Sequence, residues 1–346
     1  MDDADEKSLP REPNRMRMKK FINRPENIVP ELLEGFVLSH PGKVELLGKN
    51  VIARKKRKEP GKVGIVTLGG SGHEPGLSGF VGEGLLDFSV AGEIFAAPGA
   101  PACLEAIKLA DGGAGVLFIV LNHAGDILSS NLTMQMAERE GFNVKRVITH
   151  EDIAGGPNSD DRRGLVGFLP VYKVSGAAAE QGLPLPRCVE IAERMERNMR
   201  TLAVAVSTAT HPSTGQPIFE LADDEMEIGM GQHGEAGTGR MKLKTADETA
   251  GLMLQMLLDD LKVQTGERLL VIVNGAGATT LMELFIVFRR VHQLLGKKGI
   301  HLARGKVGEF ITTQEQGGFQ LMIARMDDEL LRLWDAPCDA PYFVVR

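Results

Sequence analysis

Cysteine is scarce in this chain. Only three occur in 346 residues, Cys103, Cys188 and Cys338. They are odd in number, far apart, and none lies in a CxxC pair or beside histidine at metal-ligand spacing. A disulfide framework and a zinc site are therefore not expected, and reduced thiols in a cytoplasmic protein are. Aromatic residues make up only 5%, and the net charge is -6. With no basic patch and few rings to stack on bases, nucleic acid and anionic membrane surfaces are poor partners. No apolar run approaches the roughly 18–20 residues of a membrane helix. The opening MDDADEKSLPREPNRM carries charge where a secretory signal has its apolar core, so an unexported chain is expected.

What is present is an ordinary globular balance, 43% hydrophobic and 25% charged, with 41 glycines. The length suggests two domains of about 100–200 residues each. Residues 1–17 predict a disordered tail, because they offer almost nothing to bury. From Ile22 onward, NIVPELLEGFVL has helical spacing. Residues 63–68 (VGIVTL) and 115–121 (GVLFIVL) predict strands buried on both faces, with helices over 101–109 and 128–140 and a strand over 144–149. The Pro/Gly-rich turn at 182–187 interrupts two helical patterns, and places a boundary between a domain of residues 18–184 and one of 185–346. In the second, strands are predicted over 202–206 and 269–273, and helices over 245–262 and 278–296. Segments 308–312 and 319–324 are predicted as antiparallel strands. Strand–turn–helix alternation in both halves means α/β: two domains, each a mixed sheet flanked by helices, with an active site in the cleft between them.

Three glycine-rich turns follow apolar runs, where open α/β sheets bind ligands. Gly69-Gly70-Ser71-Gly72-His73-Glu74-Pro75 packs a His–Glu pair among residues that let a ligand approach the backbone, which exceeds what a plain turn needs. In Asn122-His123-Ala124-Gly125-Asp126, the aspartate either caps the next helix or serves as a general base, and spacing alone favours neither. Gly229-Met230-Gly231-Gln232-His233-Gly234 fits G-x-G-x-x-G. No apolar helix follows it, so it is a weak dinucleotide signal. Its lone imidazole among glycines is an accessible nucleophile, able to add to a ketone carbonyl. Asn274-Gly275-Ala276-Gly277 lacks the third glycine of such a fingerprint. His40, His292 and His301 read as structural, as do His150 and His211 in their turns.

Together GGSGHEP, the strand ending in N-x-x-GDIL, LADDEMEIGMGQHGEAG and the closing DDELLRLWDAP resemble the substrate-binding (K) subunit of dihydroxyacetone kinase, from about Met18 to the C-terminus. The resemblance implies that His233 bonds to the substrate carbonyl carbon as a hemiaminal, selecting ketoses over polyols. It implies Asp126 as the base for the attacking hydroxyl and His73 as an aid to proton movement. Gly70, Ser71, Gly72, Ala97, Leu121, Asn122 and His123 fall at positions around the substrate. It also implies a homodimer and a separate L-type subunit that carries magnesium with ATP, or with ADP in a phosphorelay. No P-loop or aspartate-rich magnesium cluster occurs in this sequence, in keeping with that division; neither a cofactor nor a metal is expected on this chain. Three positions depart from the family. Leu121 stands where members carry lysine, Ala97 where they carry serine, and His123 where tyrosine is common. Losing two polar contacts, each worth roughly 0.5–1.5 kcal/mol, makes the pocket more apolar. A four-carbon ketose such as erythrulose is then expected as readily as dihydroxyacetone. The alternative is a ketose-sensing co-activator, which would need His233 but neither Asp126 nor His73.

Overall fold

The computed structural model describes residues 20–158, 162–231, 233–235, 237 and 239–346; the expected tail, residues 1–17, lies outside them. After α1 (Ile28–Ser39) come β1 (Val44–Leu47), β2 (Val51–Arg54), β3 (Gly64–Ser71), β4 (Phe88–Ile94), α2 (Ala100–Ala110), β5 (Val116–Leu121), α3 (Ala124–Arg139) and β6 (Val144–Thr149). These six strands form one sheet in the order β1-β2-β4-β3-β5-β6. Its β3, β4, β5 and β6 run parallel, and the β1–β2 hairpin adds an antiparallel edge. Helices α4 (Phe168–Glu180) and α5 (Leu185–Arg197) lead into β7 (Met199–Ala205), β8 (Glu225–Ile228) and β9 (Gly239–Lys242). Then follow α6 (Ala246–Leu261), β10 (Arg268–Gly275), α7 (Leu281–Lys297), β11 (His301–Gly308), β12 (Gly318–Arg325) and α8 (Asp328–Asp335). The second sheet is ordered β11-β10-β12-β7-β8-β9.

Period-two alternation explains the layering. On β5, Val116, Phe118 and Val120 pack with Cys103, Leu104 and Ile107 of α2, while Leu117, Ile119 and Leu121 point to the opposite face. On β10, Leu269, Val271 and Val273 face α6 and α7. Leu270 and Ile272 join the same core as Ile65, Phe168, Tyr172, Ile191 and Trp334. A layer of α4, α5 and α8 side chains thus shares one continuous core with the facing surfaces of both sheets. The helices α6 and α7 start where Thr245 and Thr280 each form a reciprocal cap with a glutamate three residues on.

The fold class is as expected, with two mixed sheets flanked by helices. Residues 309–312, the rest of the expected strand 308–312, are not a strand. The strand lies earlier, at β11, and pairs parallel to β10; HLARGKVG is an edge strand, partly exposed along its length, and lacks clean apolar alternation. The stretch after it is a loop tied to the first sheet, as described below. A boundary at residue 185 falls at the start of α5, a helix that packs on α4 and on β5 and β6 of the first sheet.

Candidate functional site

Strand ends position the site. The carboxyl ends of β3, β4 and β5 and the loop following β8 meet at a cavity of about 280 Å³. Gly69, Gly70, His73, Phe95, Ala97, Leu121, His123, Asp126, His233, Glu235 and Ile311 are among the residues lining it. Backbone packing makes glycine necessary at Gly70, where a Cβ would lie 2.8 Å from the Ala96 nitrogen. The described residues after Gly229 lie between the antiparallel hairpin strands β8 and β9, and the element that follows is a strand, not a helix. This is no dinucleotide fingerprint.

The loop after β11 clasps the first glycine turn. Thr312 N–H donates to the His73 carbonyl (3.0 Å), and the Gln314 amide donates to the Gly72 carbonyl (3.1 Å). The loop is held in turn by buried Asn274, whose side chain accepts from Phe310 and Ile311 N–H and donates to the Ile311 carbonyl. Asn274 is therefore a structural clamp.

Three imidazoles and two carboxyls converge. His73 Nδ1–H donates to the Thr312 carbonyl at 2.7 Å, so its Nε2 keeps a lone pair, 3.0 Å from His233 Nε2. His123 Nε2–H donates to the Gly164 carbonyl at 2.8 Å, leaving Nδ1 as its acceptor. Glu235 accepts the His233 backbone N–H at 2.8 Å and faces the His233 Nδ1 at 3.2 Å. The Nε2 atoms of His73 and His233 thus face one another, while His233 Nδ1 faces Glu235. Burial and the neighbouring His233 push His73 down to about 3 against the opposing Thr312 hydrogen bond. Burial and His233 likewise push His123 down to about 4. Burial alone would raise Glu235, but its hydrogen bonds from His233 outweigh this and hold it well below the usual carboxylate range. His73 and His123 are thus neutral and Glu235 is ionised near pH 7.

Asp126 is the third residue of α3, whose N-cap is His123. Its carboxylate accepts no hydrogen bond from the described residues, which removes the capping explanation. Burial pushes it up to about 7, partly offset by His233. A carboxyl poised there can exchange a proton near neutral pH.

The structure brings His73, His123, Asp126, His233, Gly70, Ala97 and Leu121 to one cavity. Ser71, Gly72 and Asn122 are turned elsewhere. Ser71 Oγ donates to the Gly92 carbonyl, Gly72 N–H bonds the Glu74 carboxylate, and the Asn122 amide donates to the Arg162 carbonyl. Sequence reasoning passed over Glu235, Phe95 and Arg163. Phe95 stacks near His73, His211 and His233 at ring-centroid distances of 5.0, 5.6 and 5.7 Å. Arg163 pairs with buried Asp152 and donates to the Gly229 carbonyl at 2.7 Å, anchoring the His233 loop. Glu235 stood in the GQHGE string; for Arg163 no local signal existed. Among the described residues, no helix is long and apolar enough to cross a membrane.

The chain is 37% identical over 330 residues to the dihydroxyacetone-binding subunit DhaK of PTS-dependent dihydroxyacetone kinase 2 from Listeria innocua serovar 6a, covering 95% of this chain and 100% of that one. It is 38% identical to the L-erythrulose kinase of Pectobacterium atrosepticum, over 94% of this chain and 56% of that protein. Among solved structures, the dihydroxyacetone kinase operon co-activator Dha-DhaQ superposes with a TM-score of 0.87 at 29% identity, covering 92% and 99% of the two chains. The dihydroxyacetone kinase of C. freundii in complex with AMP-PNP and Mg2+ does so with a TM-score of 0.86 at 28% identity, covering 94% of this chain and 61% of that one. A Dak1 domain model matches residues 34–342, and the chain accordingly belongs to the Dak1 family, that of the dihydroxyacetone-binding DhaK subunits.

Proposed function

We propose that this chain is the ketose-binding subunit of a dihydroxyacetone-type kinase, a phosphotransferase with an alcohol acceptor, taking dihydroxyacetone or a four-carbon ketose. The observation that carries this is the meeting of His233, His73 and Asp126 at one cavity. His233 adds to the ketone carbon through Nε2, and the ring's Nδ1 proton passes to the Glu235 carboxylate. The C–N bond forms as the carbonyl π pair moves to oxygen, and the proton that the ring has released is returned to that oxygen through solvent and His73, giving a neutral hemiaminal. Polyols such as glycerol have no carbonyl and are excluded. Asp126 then accepts the proton of a terminal hydroxyl as its oxygen attacks phosphorus and the bond from phosphorus to the donor oxygen breaks.

The phosphoryl donor belongs on a separate nucleotide-binding subunit, together with magnesium. Support comes from the C. freundii kinase, crystallised with AMP-PNP and Mg2+, of which this chain covers only 61%. The Listeria relative, matched over its full length, is named PTS-dependent, which favours a relayed phosphoryl group on ADP over free ATP. Leu121 and Ala97 in the cavity wall leave the substrate hydroxyls fewer polar partners, and the erythrulose kinase relative agrees with a longer ketose.

The test mixes the purified chain with a helical nucleotide-binding kinase subunit, a phosphoryl donor and magnesium, and follows phosphate esters by phosphorus NMR. Dihydroxyacetone and erythrulose should both yield product, with glycerol inert, and His233→Ala should abolish a substrate-mass adduct in intact mass spectrometry. An adduct on the wild type with no turnover for any partner subunit would instead favour the sensing role of the co-activator it resembles. Persistence of the adduct in the His233 variant would rule out this nucleophile.

A further inference from the structure

His123 is the residue that changes what this cavity can bind. Its Nδ1 lies 3.9 Å from Glu235 Oε1, which in turn is 3.2 Å from His233 Nδ1. One ligand atom from each of the three residues falls within 4.8 Å of the other two. Zinc bonds to nitrogen and oxygen of about 2.0–2.2 Å require neighbouring donors to sit roughly 3.3 Å apart in a tetrahedral site. Ring rotations and movement of the carboxylate would bring the three donors to that spacing.

Orientation favours an ion further. A histidine that binds a metal commonly donates its other ring N–H to a backbone carbonyl, which fixes the tautomer and aims the lone pair. His123 does so through Gly164. Two imidazoles with one carboxylate is a borderline donor set. It suits Zn2+, Co2+ or Ni2+, whereas Mg2+ and Ca2+ prefer oxygen. The remaining coordination positions open into the cavity.

We propose that His123, His233 and Glu235 form a binding site for a divalent transition-metal ion, and that the ion and the ketose exclude one another. The metal site stands on geometry alone, whereas the exclusion rests on His233 being the carbonyl nucleophile. An ion held here takes the very atoms, His233 Nδ1 and Glu235 Oε1, whose mutual hydrogen bond keeps His233 Nε2 electron-rich. Metal occupancy therefore switches off carbonyl addition, and a chelator restores it. The family's usual tyrosine at position 123 would not complete such a triad.

Calorimetric titration of the chelator-stripped full chain with zinc chloride provides the direct test. One ion per chain should bind saturably. Both His123→Tyr and Glu235→Gln should weaken it at least tenfold, and His292→Ala, removing an exposed histidine remote in sequence from the triad, should leave it unchanged. Circular dichroism of each variant checks that it is folded. Lack of saturable 1:1 binding by the wild type, or full affinity in both triad variants, overturns the site. On the wild type itself, saturating zinc should suppress the dihydroxyacetone adduct seen by intact mass spectrometry, and EDTA should bring it back. An undiminished adduct on the zinc-loaded chain overturns the exclusion. If no adduct forms even in EDTA, the ketose reading fails instead, and calorimetry alone decides the metal site.

Discussion

Asp126 concentrates the conflict between stability and chemistry in a single side chain. Its carboxyl is buried, accepts no hydrogen bond from the described residues, and is pushed up to about 7 by that burial. Because the folded state holds the proton more tightly than the unfolded chain, the native state is not penalised below the ordinary carboxylate range. The penalty grows as pH rises and is complete above about 7, amounting to a few kcal/mol. Activity has the opposite requirement, since a general base must be ionised. Phosphoryl transfer should therefore fall as pH drops through about 7. Asp126→Asn should lower kcat by about 10²–10⁴ while raising Tm at pH 8, and the gain in Tm should shrink towards pH 4. A variant less stable than wild type at pH 8 would show that the ionised carboxylate has a stabilising partner in the folded state. His73 was legible at this scale because an SGHEP turn is an unusual local string. Its tautomer was not, because the Thr312 carbonyl that sets it comes from 239 residues away.

At the scale of elements, the connection between β8 and β9 matters most, since it carries the proposed nucleophile, His233. Arg163, bound to Asp152 and to the Gly229 carbonyl, acts as its anchor. A Cβ at Gly231 would lie 2.1 Å from Glu235 Oε2 and 2.3 Å from Arg163 Nη1. Both are ends of flexible side chains, so Gly231→Ala should fold but displace the two groups that hold His233. Adduct formation should slow by about an order of magnitude, with Tm nearly unchanged; a wild-type adduct rate would show that Glu235 does not orient the ring. Elements with strong local signals, such as the buried strands β3, β5 and β10 and the capped helices α6 and α7, were predictable from the sequence. Strand β4, buried but broken by glycine and polar residues, was not, and neither were the short strands β1, β2, β8 and β9 or the edge strand β11. The short and edge strands have few or partly exposed residues, and pairing with neighbours determines their conformation more than local pattern does.

For the molecule as a whole, the layer of α4, α5 and α8 binds the two sheets through one apolar core. Polar links cross the same seam. Thr201 N–H donates to the Glu151 carbonyl, and Val166 N–H donates to the Gln320 side chain. We propose that residues 18–184 and 185–346 are architectural halves and not independent folding units. Calorimetry should then show one cooperative transition, and two separated transitions would contradict the shared core. Asp152 is fully buried beside Arg163. Asp152→Ala should lower stability by about 3–5 kcal/mol, because it leaves a guanidinium without its partner in a poorly hydrated place. The same variant should loosen the His233 loop and reduce adduct formation, whereas a substitution on the exposed face of α6 should do neither.

From the sequence alone came the α/β class, strands β3, β5, β6, β7, β10 and β12, the three glycine turns and the two residues with reactive side chains in the most unusual strings, His73 and His233. Those features follow from periodicity, glycine chemistry and motif, all of which act over a few residues. Only the tertiary structure decided that Asp126 is buried and uncapped, that His123 faces Glu235, and that Thr312 and Arg163 orient the site from distant segments. Desolvation, proton placement and donor spacing depend on which strand ends the packed core brings together, and no local run of residues specifies that.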